Sequence, residues 1–319
     1  MKINSVLGPV DTRELGITLM HEHVLCANWT ARANYPDWLE RKEFIDLAVK
    51  MLKRAKQFGV KTMIDGTPPG LGRDISVLRE VSEKAEINII ASTGFYWYEE
   101  AWLVGKDRGR MVERLVREVE EGIQGTDSKA GIIKCATDYK GMTAENQHLL
   151  EIVADTQKIT GLPIFAHGTV QNKVAAFQQQ FFADRGVPAE KIILGHLGDT
   201  DNVEYIESIL KKGSYAGLDR FGLEWIFPDE KRIATLKKLI EDGWADKLFL
   251  SHDFSVFIDE INNEWSERKN VDVEHLNFQY THIFERVLPE LLEQGVEKEV
   301  VNRILSINPQ NFFESDGRE

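Results

Sequence analysis

Sulfur and positive charge are both scarce in this chain. Its 319 residues carry two cysteines, Cys26 and Cys135. They form neither a disulfide framework nor a CxxC unit, so a reducing cytoplasm is the expected compartment. Lys and Arg total 39 against 52 Asp and Glu, a net charge of -13. Such a surface repels nucleic acid and anionic membranes, and no basic stripe interleaved with aromatics is present. No apolar run approaches the ~18 residues of a membrane span. Met1 to Gly16 lacks the apolar segment of a secretory leader. A Gly-x-Ser-x-Gly elbow and a Walker loop are missing, which removes the serine-hydrolase and nucleotide-hydrolase readings. Low-complexity tracts and Pro/Gly/Ser-rich linkers are absent, so a single domain over residues 1–319 is expected.

What is present is alternation. Short β-branched, apolar runs recur at Ile17–Leu25, Thr62–Thr67, Ile87–Phe95, Ala130–Ala136, Pro163–His167, Lys191–His196, Tyr215–Leu218 and Lys247–Asp253. Amphipathic helical segments lie between them. One has Phe44, Leu47, Ala48, Met51, Leu52 and Ala55 on one face. Another begins at a Thr143 N-cap and ends at Gly161 and Pro163, and a third is capped by Asp201 or Asn202. Eight strands alternating with helices in a chain of this length give an α/β fold, a (β/α)8 TIM barrel. The stretch from Asp253 to about Val273 reads as an irregular loop, and the tail after Phe313 as polar and frayed.

The chemistry sits at strand ends. In His21-Glu22-His23 the side chains alternate, so both imidazoles share a face and can converge on one metal while Glu22 takes the other face. Alone, such a pair is equally a polar strand end. Lys134 closes an apolar strand. Either its head reaches the barrel mouth, or its amine has lost its charge or been chemically converted. His167 and His196 end two further strands, and each alone reads as a hydrogen-bonded histidine. Asp253 ends the last strand, where a turn cap is the plain alternative. Barrel strand ends converge on the C-terminal face, where such enzymes do chemistry, so these six residues together point to a metal centre. Cys135 alternates away from Lys134, and His252 away from Asp253. His148, His275 and His282 carry no assigned role.

The sequence resembles the phosphotriesterase family of the amidohydrolase superfamily, and within it the phosphotriesterase-like lactonases. The resemblance runs over almost the whole chain. It rests on Gly8-Pro9-Val10, Thr18-Leu19-Met20-His21-Glu22-His23-Val24, Gly131-Ile132-Ile133-Lys134 and Gly195-His196-Leu197-Gly198-Asp199. It continues through Gly217-Leu218-Asp219-Arg220-Phe221-Gly222-Leu223, Leu250-Ser251-His252-Asp253 and Asn308-Pro309-Gln310-Asn311-Phe312-Phe313. It implies a binuclear centre of two divalent metals, with zinc first and iron, cobalt or manganese also suited. Lys134 is implied to be an N6-carboxylysine shared by both metals. His21, His23 and Asp253 would bind the more buried metal, and His167 and His196 the more exposed one. A hydroxide between them would attack, with Asp253 as proton carrier.

Tyr96 resembles the lactonase tyrosine that reaches toward that hydroxide, or else lines the pocket wall. Arg220 matches the lactonase Asp-Arg pair and fixes the leaving-group side, or else pairs with Asp219 at the mouth. The phosphotriesterase branch carries a relay histidine in the seventh loop, and none lies between Arg220 and Leu250. The implied substrate is a small-molecule lactone or ester, with phosphotriesters as the alternative. A non-catalytic metal-binding barrel is the reading from another class. In the eighth loop, Phe254, Phe257, Ile258 and Trp265 suit an acyl chain, whereas Asp259, Glu260 and Glu264 oppose an anion if they face inward. A phosphorylated sugar lactone would require Arg220 and Lys269 to converge. Trp29, Tyr35 and Trp38 form a patch for a homodimer or a cover over the barrel end.

Overall fold

The computed structural model describes residues 1–261 and 264–315. The last four residues of the expected frayed tail, 316–319, lie outside them. A short hairpin of β1 (Lys2–Ser5) and β2 (Gly8–Asp11) opens the chain. Sequence pattern passed over it because Lys2-Ile3-Asn4-Ser5 and Gly8-Pro9-Val10-Asp11 each hold a single β-branched apolar residue.

The barrel strands follow: β3 (Ile17–Cys26), β4 (Val60–Asp65), β5 (Asn88–Gly94) and β6 (Ile132–Ala136), then β7 (Ile164–His167), β8 (Ile192–Leu194), β9 (Tyr215–Leu218) and β10 (Leu248–Leu250). Each coincides with one expected run, and consecutive strands pair in parallel. The helices up to β10 are α1 (Trp29–Asn34), α2 (Arg41–Gln57), α3 (Ile75–Ala85), α4 (Arg108–Glu120), α5 (Ala144–Thr160), α6 (Val174–Ala183), α7 (Val203–Leu210) and α8 (Asp229–Glu241), and short helices follow it. As expected, Thr143 caps α5 by accepting from Asn146 N, Gly161 ends it in a left-handed turn, and Asn202 caps α7. Among the described residues no helix is long and apolar enough to cross a membrane.

The structure corrects the reading of the eighth loop. Its first part is a strand, β11 (Ser255–Ile258), parallel to β3. The eighth barrel strand is therefore broken: β10 pairs with β9, β11 pairs with β3, and residues 251–254 join them. Across that break Asp253 N donates to His21 O at 3.2 Å and His23 N to Phe254 O at 2.8 Å. These bonds close the sheet, and with the helices outside it the architecture is a TIM barrel.

Side-chain alternation sorts the strands into two cores, except that a register irregularity between Leu19 and Glu22 in β3 lets both Met20 and His21 face inward. Met20, Ile64, Ile90, Ile132, Phe165, Ile193 and Phe249 fill the barrel interior. Their neighbours face the helices, joined by Phe44, Met51 and Leu52 from α2. Tyr215, Phe249 and Phe312 stack where the strands begin. With that end filled, polar side chains at the strand ends are left at the opposite mouth.

Candidate metal centre

β3 delivers two ligands. His21 and His23 share the inward face, as alternation requires, with ring centroids 5.1 Å apart. His167 ends β7 and His196 follows β8, with centroids 4.5 Å apart. Lys134 comes from β6 and Asp253 from the break in the eighth strand. His196 and Asp253 both lie in the left-handed region, at φ 61° and 56°. Backbone of this kind in non-glycine residues clusters at functional sites.

The six predicted residues meet at one place. Asp253 Oδ1 lies 3.1 Å from His23 Nε2 and 3.4 Å from His21 Nε2. Lys134 Nζ is 2.8 Å from His21 Nε2, and His196 Nε2 is 2.8 Å from His167 Nδ1. All are buried except Asp253, which keeps a little exposure.

The residues behind them show what they are arranged to bind. Asp219 Oδ2 accepts from His21 Nδ1 at 2.9 Å, and its Oδ1 accepts from His196 Nδ1 at 3.0 Å and His196 N at 2.7 Å. Asp138 takes His167 Nε2 at 2.7 Å. With those ring nitrogens committed as donors, His21 Nε2, His196 Nε2 and His167 Nδ1 are left as lone pairs. The lone pairs of His167 and His196 then face each other across 2.8 Å, an arrangement that a cation relieves. Burial, above all, holds the pKa of His21 and His196 well below the ordinary histidine value, so both rings are neutral, as ligands must be. Burial works against charge on Asp253 as well, but the Arg220 guanidinium and the hydrogen bond with His23 outweigh it and keep the carboxylate ionised. The donor set therefore fits metal ions. His21, His23 and Asp253 offer ligand atoms within 4.8 Å of one another. His21, His196 and Asp219 do so too, but the Asp219 oxygens are spent on Nδ1 protons, which makes Asp219 a support.

Sequence reasoning missed this supporting layer. Asp219 follows β9 as the other candidates follow theirs, so strand-end position was the available signal. Asp65 accepts from Val24 N and Thr67 N, and the Thr67 hydroxyl meets His23 Nδ1 at 2.8 Å. Glu22, pointing away from the centre, accepts from the backbone N–H of His252 and Phe254 at 3.0 Å and from His252 Nδ1 at 2.6 Å. It thereby clamps both flanks of Asp253.

Lys134 is 1% exposed and makes no ion pair among the described residues. Its Nζ stands 4.4 Å from the Phe165 ring centroid. Burial lowers its pKa to about 8. Gly94 lets β5 pass beside it: at φ 105° a Cβ there would lie 2.0 Å from Lys134 O.

The centre opens into a cavity of about 420 Å³. Tyr96 lines it, its ring edge-on to His167 at 5.3 Å. Arg220 lines it too, but pairs with Asp253 at 2.9 Å and Asp199 at 3.0 Å, not with Asp219. The Asp219 side chain turns inward under the histidines. Of the apolar loop residues expected there, Phe254 and Ile258 reach the cavity, whereas Phe257 and Trp265 pack together and toward Phe44. Leu223, Trp225, Ile226, Leu276 and Phe278 complete the apolar wall.

Lys269 pairs with Glu40 and Glu43 and does not converge with Arg220. Asp259 is held by Asn28 N and Trp38 Nε1, and Glu264 is exposed and outside the cavity wall. Glu260 lines the wall but is bonded to the Tyr98 hydroxyl. Trp29 and Tyr35 remain exposed. Burial raises the Cys135 thiol to about 12, so it is inert. His252 faces away as expected, His275 is exposed, and His282 is buried against Asp229.

Comparison with known proteins bears on the fold and the family. The model of the phosphotriesterase family matches residues 1–313. An aryldialkylphosphatase of Saccharolobus solfataricus is 38% identical over 95% of this chain and 96% of its own. A phospho-furanose lactonase of Mycoplasmopsis agalactiae is 30% identical over 98% of this chain and 92% of its own. The structure of the phosphotriesterase from Mycobacterium tuberculosis superposes with a TM-score of 0.92 at 36% identity, covering 98% of each chain. Fold and sequence agree: the chain belongs to the phosphotriesterase family and is a metal-dependent hydrolase of ester-type bonds.

Proposed function

We propose that this protein is a lactonase with two divalent metals, zinc first among the candidates. His21, His23 and Asp253 would hold one, His167 and His196 the other, and Lys134, as its carbamate, would serve both. A carbamate accounts for a buried lysine without a counter-ion, because the anion is a hard oxygen ligand where an ammonium would be stranded. When bound, such a pair makes water nucleophilic near neutral pH and polarises the oxygen of the scissile carbonyl.

The chain's own groups divide the remaining work. Asp253 Oδ1 receives the proton of the attacking water, and Arg220 on Oδ2 fixes the carboxylate's direction. Tyr96 stays protonated, because burial chiefly and Asp253 next raise its pKa, so its hydroxyl can donate toward the substrate. The apolar wall excludes bulk water and seats the ring and its substituent.

Arg220 is the observation that carries the lactone reading. Outward of Asp253 stands a permanently charged guanidinium, which cannot relay a proton onward. In a lactone the departing oxygen stays tethered, within reach of the same carboxylate, so no outward relay is required. A freely departing phosphotriester leaving group gains nothing from that arrangement. A non-catalytic role fits poorly, since every ligand position and the proton carrier are filled. Both cysteines are buried and free, which suits the cytoplasm.

The test is a panel of neutral lactones, acyclic carboxyl esters and phosphotriesters on zinc-loaded and cobalt-loaded protein. Lactones should lead in kcat/KM by at least tenfold. A phosphotriester preference would overturn the assignment.

A further inference from the structure

Arg268 stands in the wall of the same cavity with no carboxylate to answer it. It ends the short helix Trp265–Arg268 and is half-buried. Its Nε donates to Val256 O at 2.5 Å, and its Nη2 reaches Ser255 O at 3.5 Å. The guanidinium carbon lies 5.5 Å from the Phe254 ring centroid. No ion pair among the described residues includes it, and burial pulls its pKa down with little to oppose it. The other arginine of the wall, Arg220, is matched by Asp199 and Asp253. The cavity wall it shares is largely apolar, with Ile258, Leu276 and Phe278; its chain neighbour Glu267 is exposed and outside that wall, and Glu260, which does line it, is engaged with Tyr98.

A guanidinium in such a wall is poorly compensated, and a leucine or methionine would pack there at lower cost. Such a group is retained most simply for something that binds to it. Its planar fork matches a carboxylate or a phosphate, two donors to two oxygens. The acidic residues that could repel an anion are otherwise engaged or turned outward: Asp259 is bonded to Trp38 and Asn28, and Glu264 is outside the wall.

We propose that Arg268 anchors an oxyanion, a carboxylate or a phosphate, carried by the substrate away from the bond that is cut. The inference rests on the reading of this cavity as the hydrolytic site. The anchored group does not react, so its binding energy lowers KM more than it raises kcat.

The experiment uses the metal-loaded full chain with three lactones of one length, ending in a methyl ester, a carboxylate or a phosphate. Wild type should prefer one or both anionic lactones at least tenfold in kcat/KM, and their ranking identifies the anion. Arg268→Met should reduce the anionic-over-neutral ratio at least tenfold, chiefly through KM, and Arg268→Lys should restore part of it. In parallel, inorganic phosphate should raise the Tm of wild type more than that of Arg268→Met. Equal losses on all three lactones with a lowered Tm would make Arg268 a strap for Ser255 and Val256 and overturn the anchor. A wild type that turns over the neutral lactone best would also overturn it, while leaving the hydrolase reading intact. If no lactone or ester is cleaved, the hydrolase reading falls, and the phosphate-dependent difference in Tm decides the anchor alone.

Discussion

Replacing Asp219 by asparagine challenges the centre without touching any proposed ligand. The carboxylate serves two rings, taking His21 Nδ1 on Oδ2 and the backbone and Nδ1 of His196 on Oδ1. In the variant the amide oxygen can keep the His196 side, but its NH2 then faces His21 Nδ1. Two donors cannot face each other, so the His21 proton must move to Nε2, the atom beside Lys134 and Asp253. The proton then occupies a ligand position, and the loss falls on cation binding. A supporting residue of this kind is worth about 10–100-fold in metal affinity, or ~1.4–2.7 kcal/mol. Volume is unchanged, so the fold should survive with only a modest fall in Tm. Metal per chain, followed during titration with a chelator, measures the affinity directly. If Asp219→Asn holds both metals within threefold of wild type, the tautomer argument is wrong.

Three further outcomes are expected. Lys134→Ala should lose metal and activity by more than the ~100-fold ceiling of a supporting residue, and acetate or propionate should restore part of both; retention of two metals without added acid would exclude the carbamate. Glu22→Gln should destabilise the protein by about 1–3 kcal/mol, because its amide NH2 must oppose the buried N–H of His252 or Phe254; a urea-measured change below about 0.5 kcal/mol, under half the cost of one unsatisfied buried donor, contradicts the clamp. The depressed pKa of Asp253 means that its contribution to metal-free stability is complete above roughly pH 4 and is lost as pH falls through its lower folded value. The stability gap between wild type and Asp253→Asn should therefore shrink from pH 7 to pH 3, and a constant gap refutes the assignment.

The ligand set was legible because it depends on local geometry. Alternation placed His21 and His23 on one face, and strand ends placed Lys134, His167 and His196 at one mouth. The eighth strand was not legible as a whole. Its break at Asp253 depends on a left-handed residue and on hydrogen bonds to His21 and His23, more than 200 positions earlier in the chain. The run Ser255-Val256-Phe257-Ile258 does carry a β-strand signal, but the expected loop concealed it. The alternative pairing of Arg220 with its neighbour Asp219 fails because sequence shows adjacency and not direction. The turn after β9 sends one side chain under the histidines and the other toward Asp199. Trp265 and Phe257 looked like substrate contacts because apolarity alone does not distinguish a cavity wall from the core behind it.

The seventh loop joins two properties usually treated as separate. Arg232, fully buried, holds Asp199 at 2.7 Å and also bonds Leu223 O and Phe227 O. Asp199 in turn holds Arg220, which holds Asp253. Gly222, at φ 96°, allows the same loop to pass Phe278, where a Cβ would come within 2.8 Å. The segment that shapes the mouth thus also sets the basicity of the carboxylate at its floor. Remodelling the loop to admit a different substrate would shift the pH–rate profile as well, so selection for a new specificity here would act on both traits together.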